Sequence, residues 1–176
     1  MPYIFPIDGV APVIHPNSFI ANSADVIGNV NIAECVSIWN KTVVRGDLNY
    51  IQIGKYTNVQ DLCMVHADTD PGYKPLDWGK TIIGEYVSIG HGAIVHVCTV
   101  EDYCLIGMGA IVLDDAVIGR GSIVGAGSVV TPGTIIPPFS MVLGTPGKVV
   151  KTLSEDFIKD RIRSAEEYWE LACKYK

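Results

Sequence analysis

Ile or Val recurs every six residues along most of this chain, and no other feature restricts the fold as tightly. Stepping by six from Ile20 meets Val26, Ile32, Ile38 and Val44; later runs take in Ile53, Val59 and Val65, then Ile83, Ile89 and Val95. A final run holds Val100, Ile106, Val112, Ile118, Val124, Val130 and Ile136. The fifth residue of each hexad is usually small or β-branched, as at Ala24, Thr42, Cys63, Ala93, Ala110 and Ser122, which suits a crowded interior corner. Glycine often follows the register residue, as at Gly54, Gly84 and Gly107, where a tight turn favours an absent Cβ. A period of six fits neither the 3.6 of a helix nor the 2 of an ordinary strand. It predicts an all-β solenoid, a parallel β-helix of short strands joined by sharp corners.

Over residues 11 to 150 this register resembles the hexapeptide-repeat family. The resemblance implies that three hexads close one triangular turn and that the β-helix is left-handed. The register breaks at Val44–Ile53, three residues too long, and at Val95–Val100, one too short. Between Val65 and Ile83, residues 67–80 are turn-rich and aperiodic, and predict a protruding loop. From Leu153 the apolar spacing becomes helical, with Ile158, Ile162, Ala165, Trp169 and Ala172 at steps of three or four. Ser154 is placed as an N-cap, with Leu153 and Ile158 as a hydrophobic staple. The expected organisation is therefore a left-handed β-helix over residues 1–152, with an N-terminal cap and the loop, and an α-helix over residues 153–176 packed along it in the same domain.

Charged residues make up 18% of the chain against 48% hydrophobic, so disorder is excluded. A net charge of −6 without a Lys/Arg cluster argues against a nucleic-acid or anionic-membrane partner. The N-terminal stretch has no basic start and is interrupted by prolines, so a cytoplasmic setting is expected. Cys35, Cys63, Cys98, Cys104 and Cys173 are scattered, with no CxxC pair, and read as structural thiols. The Asn40-Lys41-Thr42 sequon and Arg45-Gly46-Asp47 as an adhesion motif carry no meaning in such a setting.

Of the four histidines, His15 reads as an ordinary imidazole. His66 follows register residue Val65 and His96 follows Val95, so both hold the same hexad phase. Removing about 12 residues of loop from their separation leaves about 18, one full turn, so they should stack in neighbouring coils. His91 belongs to the preceding hexad and a different face. A third imidazole can join the pair if closed cyclic symmetry sets an unlike face of a neighbouring subunit against it. Three neutral imidazoles with an open position form the arrangement of catalytic zinc.

Arg45-Gly-Asp47, Asn58-Val-Gln60-Asp61, His66 and His91-Gly-Ala-Ile-Val-His96 together resemble the gamma-class carbonic anhydrases and their homologues. The resemblance implies that His66 and His96 of one subunit and His91 of the next bind a metal in a homotrimer. It also implies that Gln60 orients hydroxide or bicarbonate, that Asn58 positions Gln60, and that Arg45, Asp47 and Asp61 form charged contacts around the site and across the interface. Carbon dioxide and bicarbonate are the implied substrates. Zinc is the default ion, while iron, cobalt and nickel also suit imidazole. Where the best-known active members carry an acidic loop glutamate implicated in proton export, this loop holds only Asp68, Asp70 and Asp77, so weak activity is expected. Two other functions fit the fold: a hexapeptide acyltransferase using acyl-CoA between subunits, and a non-catalytic metal-binding trimer within a larger assembly. An acyltransferase needs one histidine as base and leaves two of the trio unexplained.

Overall fold

The computed structural model describes residues 1–69 and 78–176, and shows a left-handed parallel β-helix of about seven turns followed by one helix. Its strands stack into three faces. The first face holds the leading halves of Asp25–Ile32 and Val43–Ile53, then Met64–His66, Ile94–His96, Ile111–Val112 and Val129–Val130. The second holds Val13–Ile14, the trailing halves of the two long strands, then Thr81–Ile83, Thr99–Val100, Val117–Ile118 and Ile135–Ile136. Phe19–Ile20, Ser37–Ile38, Asn58–Val59, Ser88–Ile89, Leu105–Ile106, Ile123–Val124 and Ser140–Leu143 form the third, which Lys148–Thr152 closes as an antiparallel edge. Tyr3–Phe5 pairs with the start of Asp25–Ile32 and caps the N-terminal end.

The six-residue register is the core. Val44, Val65, Val95, Val112 and Val130 are fully buried behind the first face, Ile53, Ile83, Val100 and Ile118 behind the second, and Ile38, Val59, Ile89, Ile106 and Val124 behind the third. Interior corners take Ala93, Ala110 and Ala116, or polar side chains that bond to the backbone, such as Thr57 Oγ1 donating to the Gly84 carbonyl. Burial pushes the Cys63 thiol up to about 11 and those of Cys98 and Cys104 up to about 12, so these three remain inert thiols.

The glycines after the register residues serve a purpose other than backbone freedom. Gly54 has an ordinary φ, and a Cβ there would lie 2.6 Å from the Gly84 carbonyl of the next coil. Stacked coils approach too closely for a side chain. The left-handed backbone belongs to later corner positions such as Gly109, at φ +64 with open space around it. Gly54→Ala should therefore cost about 1–3 kcal/mol through overpacking. Gly109→Asn should stay within about 0.5 kcal/mol, because Asn tolerates that backbone. Denaturant titration checks the pair, and a reversed order would refute the close-approach account.

The long spacing at Val44–Ile53 is a bulge within one strand, whose register against Asp25–Ile32 jumps between Gly28/Gly46 and Val30/Ile51. Asn49, inside the bulge, donates from Nδ2 to the carbonyls of Asp68 (3.2 Å) and Trp78 (3.0 Å), and so ties both ends of the 67–80 segment. Most of that segment lies outside the described residues, Asp70 and Asp77 included.

The helix, Phe157–Cys173, runs along the third face. Tyr168 and Tyr175 pack edge-on against Trp39, and Tyr175 also meets Phe19. It begins later than its sequence signal: Asp156 is the N-cap residue and makes no side-chain cap bond. Ser154 instead stabilises a preceding turn, its Oγ accepting the Asp156 N–H at 3.3 Å. Among the described residues no helix is long and apolar enough to cross a membrane.

Candidate metal centre

Hexad phase places His66 and His96 directly opposite each other, in register on adjacent strands of the first face, with Arg45 opposite His66 one coil earlier. His66 Nδ1 and His96 Nε2 are 3.1 Å apart. Each ring's other nitrogen faces a carboxylate: His96 Nδ1 lies 2.6 Å from Asp114 Oδ1, and His66 Nε2 lies 3.3 Å from Asp47 Oδ1. An ionised carboxylate only accepts. Each outer nitrogen is therefore placed to donate, and in the neutral tautomers this favours, the two inner nitrogens face one another as acceptors across 3.1 Å.

A cation between them resolves that opposition. Two metal–nitrogen bonds of about 2.05 Å at a tetrahedral angle span about 3.3 Å, so the pair fits one shared ion. Burial and then the Arg45 charge push the His66 pKa down, which favours the neutral ring that a metal requires. Burial alone would raise the Asp47 pKa, but its hydrogen bond and ion pair with Arg45, with His66 beside it, hold it below the usual carboxylate range.

The remaining candidates form a second group on another edge of the prism. His91 sits half exposed in the corner between the third and first faces, its Nδ1 2.9 Å from Asp61 Oδ2. Asp61 Oδ1 in turn accepts from the Asn40 backbone at 3.2 Å. The Asp61 carboxylate thus stands beside the Nδ1 side of the His91 ring. Nearby, Asn58 Nδ2 donates to Ser88 Oγ at 3.0 Å, and Gln60 Nε2 donates to Asn58 Oδ1 at 3.1 Å. That chain sets the Gln60 amide, and no hydrogen bond among the described residues engages its Oε1.

Arg45, Asp47, His66 and His96 are thus brought together, as are Asn58, Gln60, Asp61 and His91, but one chain does not join the two groups. Among the described residues no three His, Cys, Asp or Glu side chains converge to hold an ion. Beside the histidine pair, Val43, Met64, Ile94, Ile111 and Val129 pair in turn down the first face and form an outward apolar ladder. The helix packs on the third face, and on this one the ladder is half-buried, with Ile94 37% exposed. Asp68 Oδ1 accepts the Thr69 N–H at 2.7 Å, as a turn former does. Two residues escaped the sequence reading, Ser88 and Asp114. Asp114 stands eighteen residues after His96, one coil length along, and that spacing was the available signal.

The family described as "Bacterial transferase hexapeptide (six repeats)" matches residues 97–132. A carbonic anhydrase of Geobacillus kaustophilus is 46% identical over 173 residues, which are 98% of this chain and 91% of that protein. The mitochondrial gamma carbonic anhydrase 2 of Arabidopsis thaliana is 42% identical over 163 residues, 92% of this chain and 58% of the longer plant protein. A crystal structure of a hexapeptide transferase family protein from Anaplasma phagocytophilum superposes with a TM-score of 0.90 at 38% identity, covering 99% of this chain and 98% of the other. With its hexad register, its solenoid and its likeness to carbonic anhydrases over nearly its whole length, the chain belongs to the gamma-class carbonic anhydrase-like hexapeptide-repeat proteins.

Proposed function

We propose that this protein reversibly hydrates carbon dioxide at a metal ion shared between subunits of a homotrimer. The observation that carries the reading is the pair of ring nitrogens of His66 and His96, 3.1 Å apart, with a carboxylate beside the outer nitrogen of each ring. The relatives' carbonic anhydrase names support the reaction. His91 supplies the third ligand from the neighbouring subunit. In support, Asp61 stands beside its Nδ1 and so favours Nε2 as the ligating atom, its edge is remote from the pair, and a neighbouring subunit would cover the apolar ladder beside His66 and His96. Cyclic symmetry brings unlike edges together once per interface. Zinc fits three imidazoles; iron, cobalt and nickel fit them too. The setting is the cytosol, where five free cysteines stay reduced.

What such an ion contributes when bound is hydroxide at neutral pH, from a water whose pKa falls to about 7. The chain's own residues do the rest. Gln60, its amide fixed by Asn58 and Ser88, offers Oε1 to accept the O–H of hydroxide or bicarbonate and so orients it. Arg45 and Asp47 hold the His66 ring and its proton. Each hydration releases one proton, and Asp68 and Asp70 are the early-loop carboxylates that could relay it, with buffer carrying the rest.

Metal analysis of untagged protein should find about one ion per subunit, and light scattering a trimer. Carbon dioxide hydration should be measurable but weak, and should rise with imidazole buffer concentration at fixed pH and ionic strength. Replacing Asp68 and Asp70 together with Asn should lower the rate in dilute buffer and be rescued by concentrated buffer. Equal, buffer-independent rates in both proteins would refute the export account. A second reading, an acyltransferase, has the transferase name of the Anaplasma structure behind it. Acyl transfer from acetyl-CoA by metal-free protein would establish that reading instead.

A further inference from the structure

Asp114 lies in the corner that follows Ile111–Val112, two residues beyond the buried register residue Val112. That corner stacks on the one that follows His96, because the Asp115 N–H donates to the Val97 carbonyl at 2.7 Å. Asp115, at φ +60, turns the chain there, and the Asp114 carbonyl accepts the Gly133 N–H of the next coil at 2.8 Å. The backbone is therefore fixed on both sides, and the carboxylate stands 2.6 Å from His96 Nδ1. Such a contact admits one polarity, imidazole N–H to carboxylate oxygen.

Between two neutral rings, the alternative arrangement is a direct His66–His96 hydrogen bond. If His96 gave its proton to Nε2, its bare Nδ1 would face Asp114, acceptor against acceptor. If His66 carried its proton on Nδ1, its bare Nε2 would likewise face Asp47 at 3.3 Å. Both carboxylates oppose the direct bond, and Asp114, at the shorter distance, opposes it more strongly.

We propose that Asp114 is a positioning residue: it locks His96 as the Nδ1–H tautomer and aims the Nε2 lone pair at the point between the two histidines. Its control of the tautomer is a property of the metal-free protein, whereas its purpose rests on the metal reading above. A carboxylate behind a ligating imidazole also raises the ligand's basicity, and loss of such a partner costs about 10–100-fold in metal affinity.

Four histidines make the test tractable by long-range nitrogen NMR of metal-free protein labelled with 15N-histidine, each ring assigned by its own His→Gln variant. Above about pH 8, where imidazoles are neutral, wild-type His96 should appear as the Nδ1–H tautomer. Asp114→Ala should move it toward the Nε2–H form, while Asp114→Asn, whose amide oxygen still accepts, should keep Nδ1–H. In chelator competition, Asp114→Ala should bind Co2+ about 10–100-fold more weakly and Asp114→Asn should fall between it and wild type. A merely structural Asp114 would change the melting temperature of the metal-free protein without moving the tautomer. Protonation of His96 at Nε2 in wild type, or the same tautomer in Asp114→Ala, overturns the proposal. A shifted tautomer with unchanged Co2+ affinity overturns its role toward the ion. If wild type takes up no Co2+ while the tautomer responds as expected, the metal reading fails and control of His96 by Asp114 stands.

Discussion

Mixing His91→Ala subunits with His66→Ala subunits should restore about a quarter of the wild-type metal content, although each variant alone should be nearly metal-free. His91→Ala leaves the His66–His96 pair and both anchoring carboxylates untouched, so a site within one chain would keep most of its affinity. A shared site loses one of three imidazoles. That loss should exceed the roughly 10–100-fold typical of a partner that only orients a ligand. In a mixed trimer, an interface is complete when the subunit giving the pair carries the His91 change and its neighbour carries the His66 change. Random assembly from equal amounts makes one interface in four complete. Co-expression, metal analysis and subunit counting measure this directly. Metal retained by His91→Ala, or none recovered in the mixture, would sink the shared-site reading.

Ile118→Ala should destabilise the solenoid by about 2–5 kcal/mol, while Ile135→Ala should change it by less than about 0.5. Both residues are isoleucines on the second face, on strands that pair with each other. Ile118 is 0% exposed and fills the interior, whereas Ile135 points outward at 74% exposure. Truncating Ile118 removes three carbons and leaves a cavity that three rigid faces cannot close. Coils contact only their neighbours, so the damage should concentrate around that coil. Denaturant unfolding gives the free energies, and hydrogen exchange should show the lost protection centred on residues near 118. Equal effects at the two positions would mean that the inward phase of the register is wrong.

The Ser154 cap shows how a local signal can be present and yet be used elsewhere. Its hydroxyl does bond forward, to the Asp156 N–H, but the chain still has to turn from the antiparallel edge strand onto the third face, and the helix starts only at Phe157. The glycines after the register residues were visible by position, though not for their reason. An intolerable contact such as the one at Gly54 involves the next coil, which local sequence does not describe.

Periodicity determined by itself which residues face inward, because a strand's side chains alternate and every coil repeats the same constraint. It also set His66 opposite His96, since two residues of the same phase one coil apart must stack once the loop between them is excluded. The sequence likewise separated His91 from that pair. Only the tertiary structure decided which carboxylate stands beside which histidine. Asp47, Asp61 and Asp114 each reach a different histidine, and hydrogen-bond polarity depends on distances of a few tenths of an ångström that no spacing rule encodes. The fold also decided which face the helix covers. The helix lies on the third face because Trp39 receives Tyr168 there, and Tyr175, just past the helix, meets both Trp39 and Phe19.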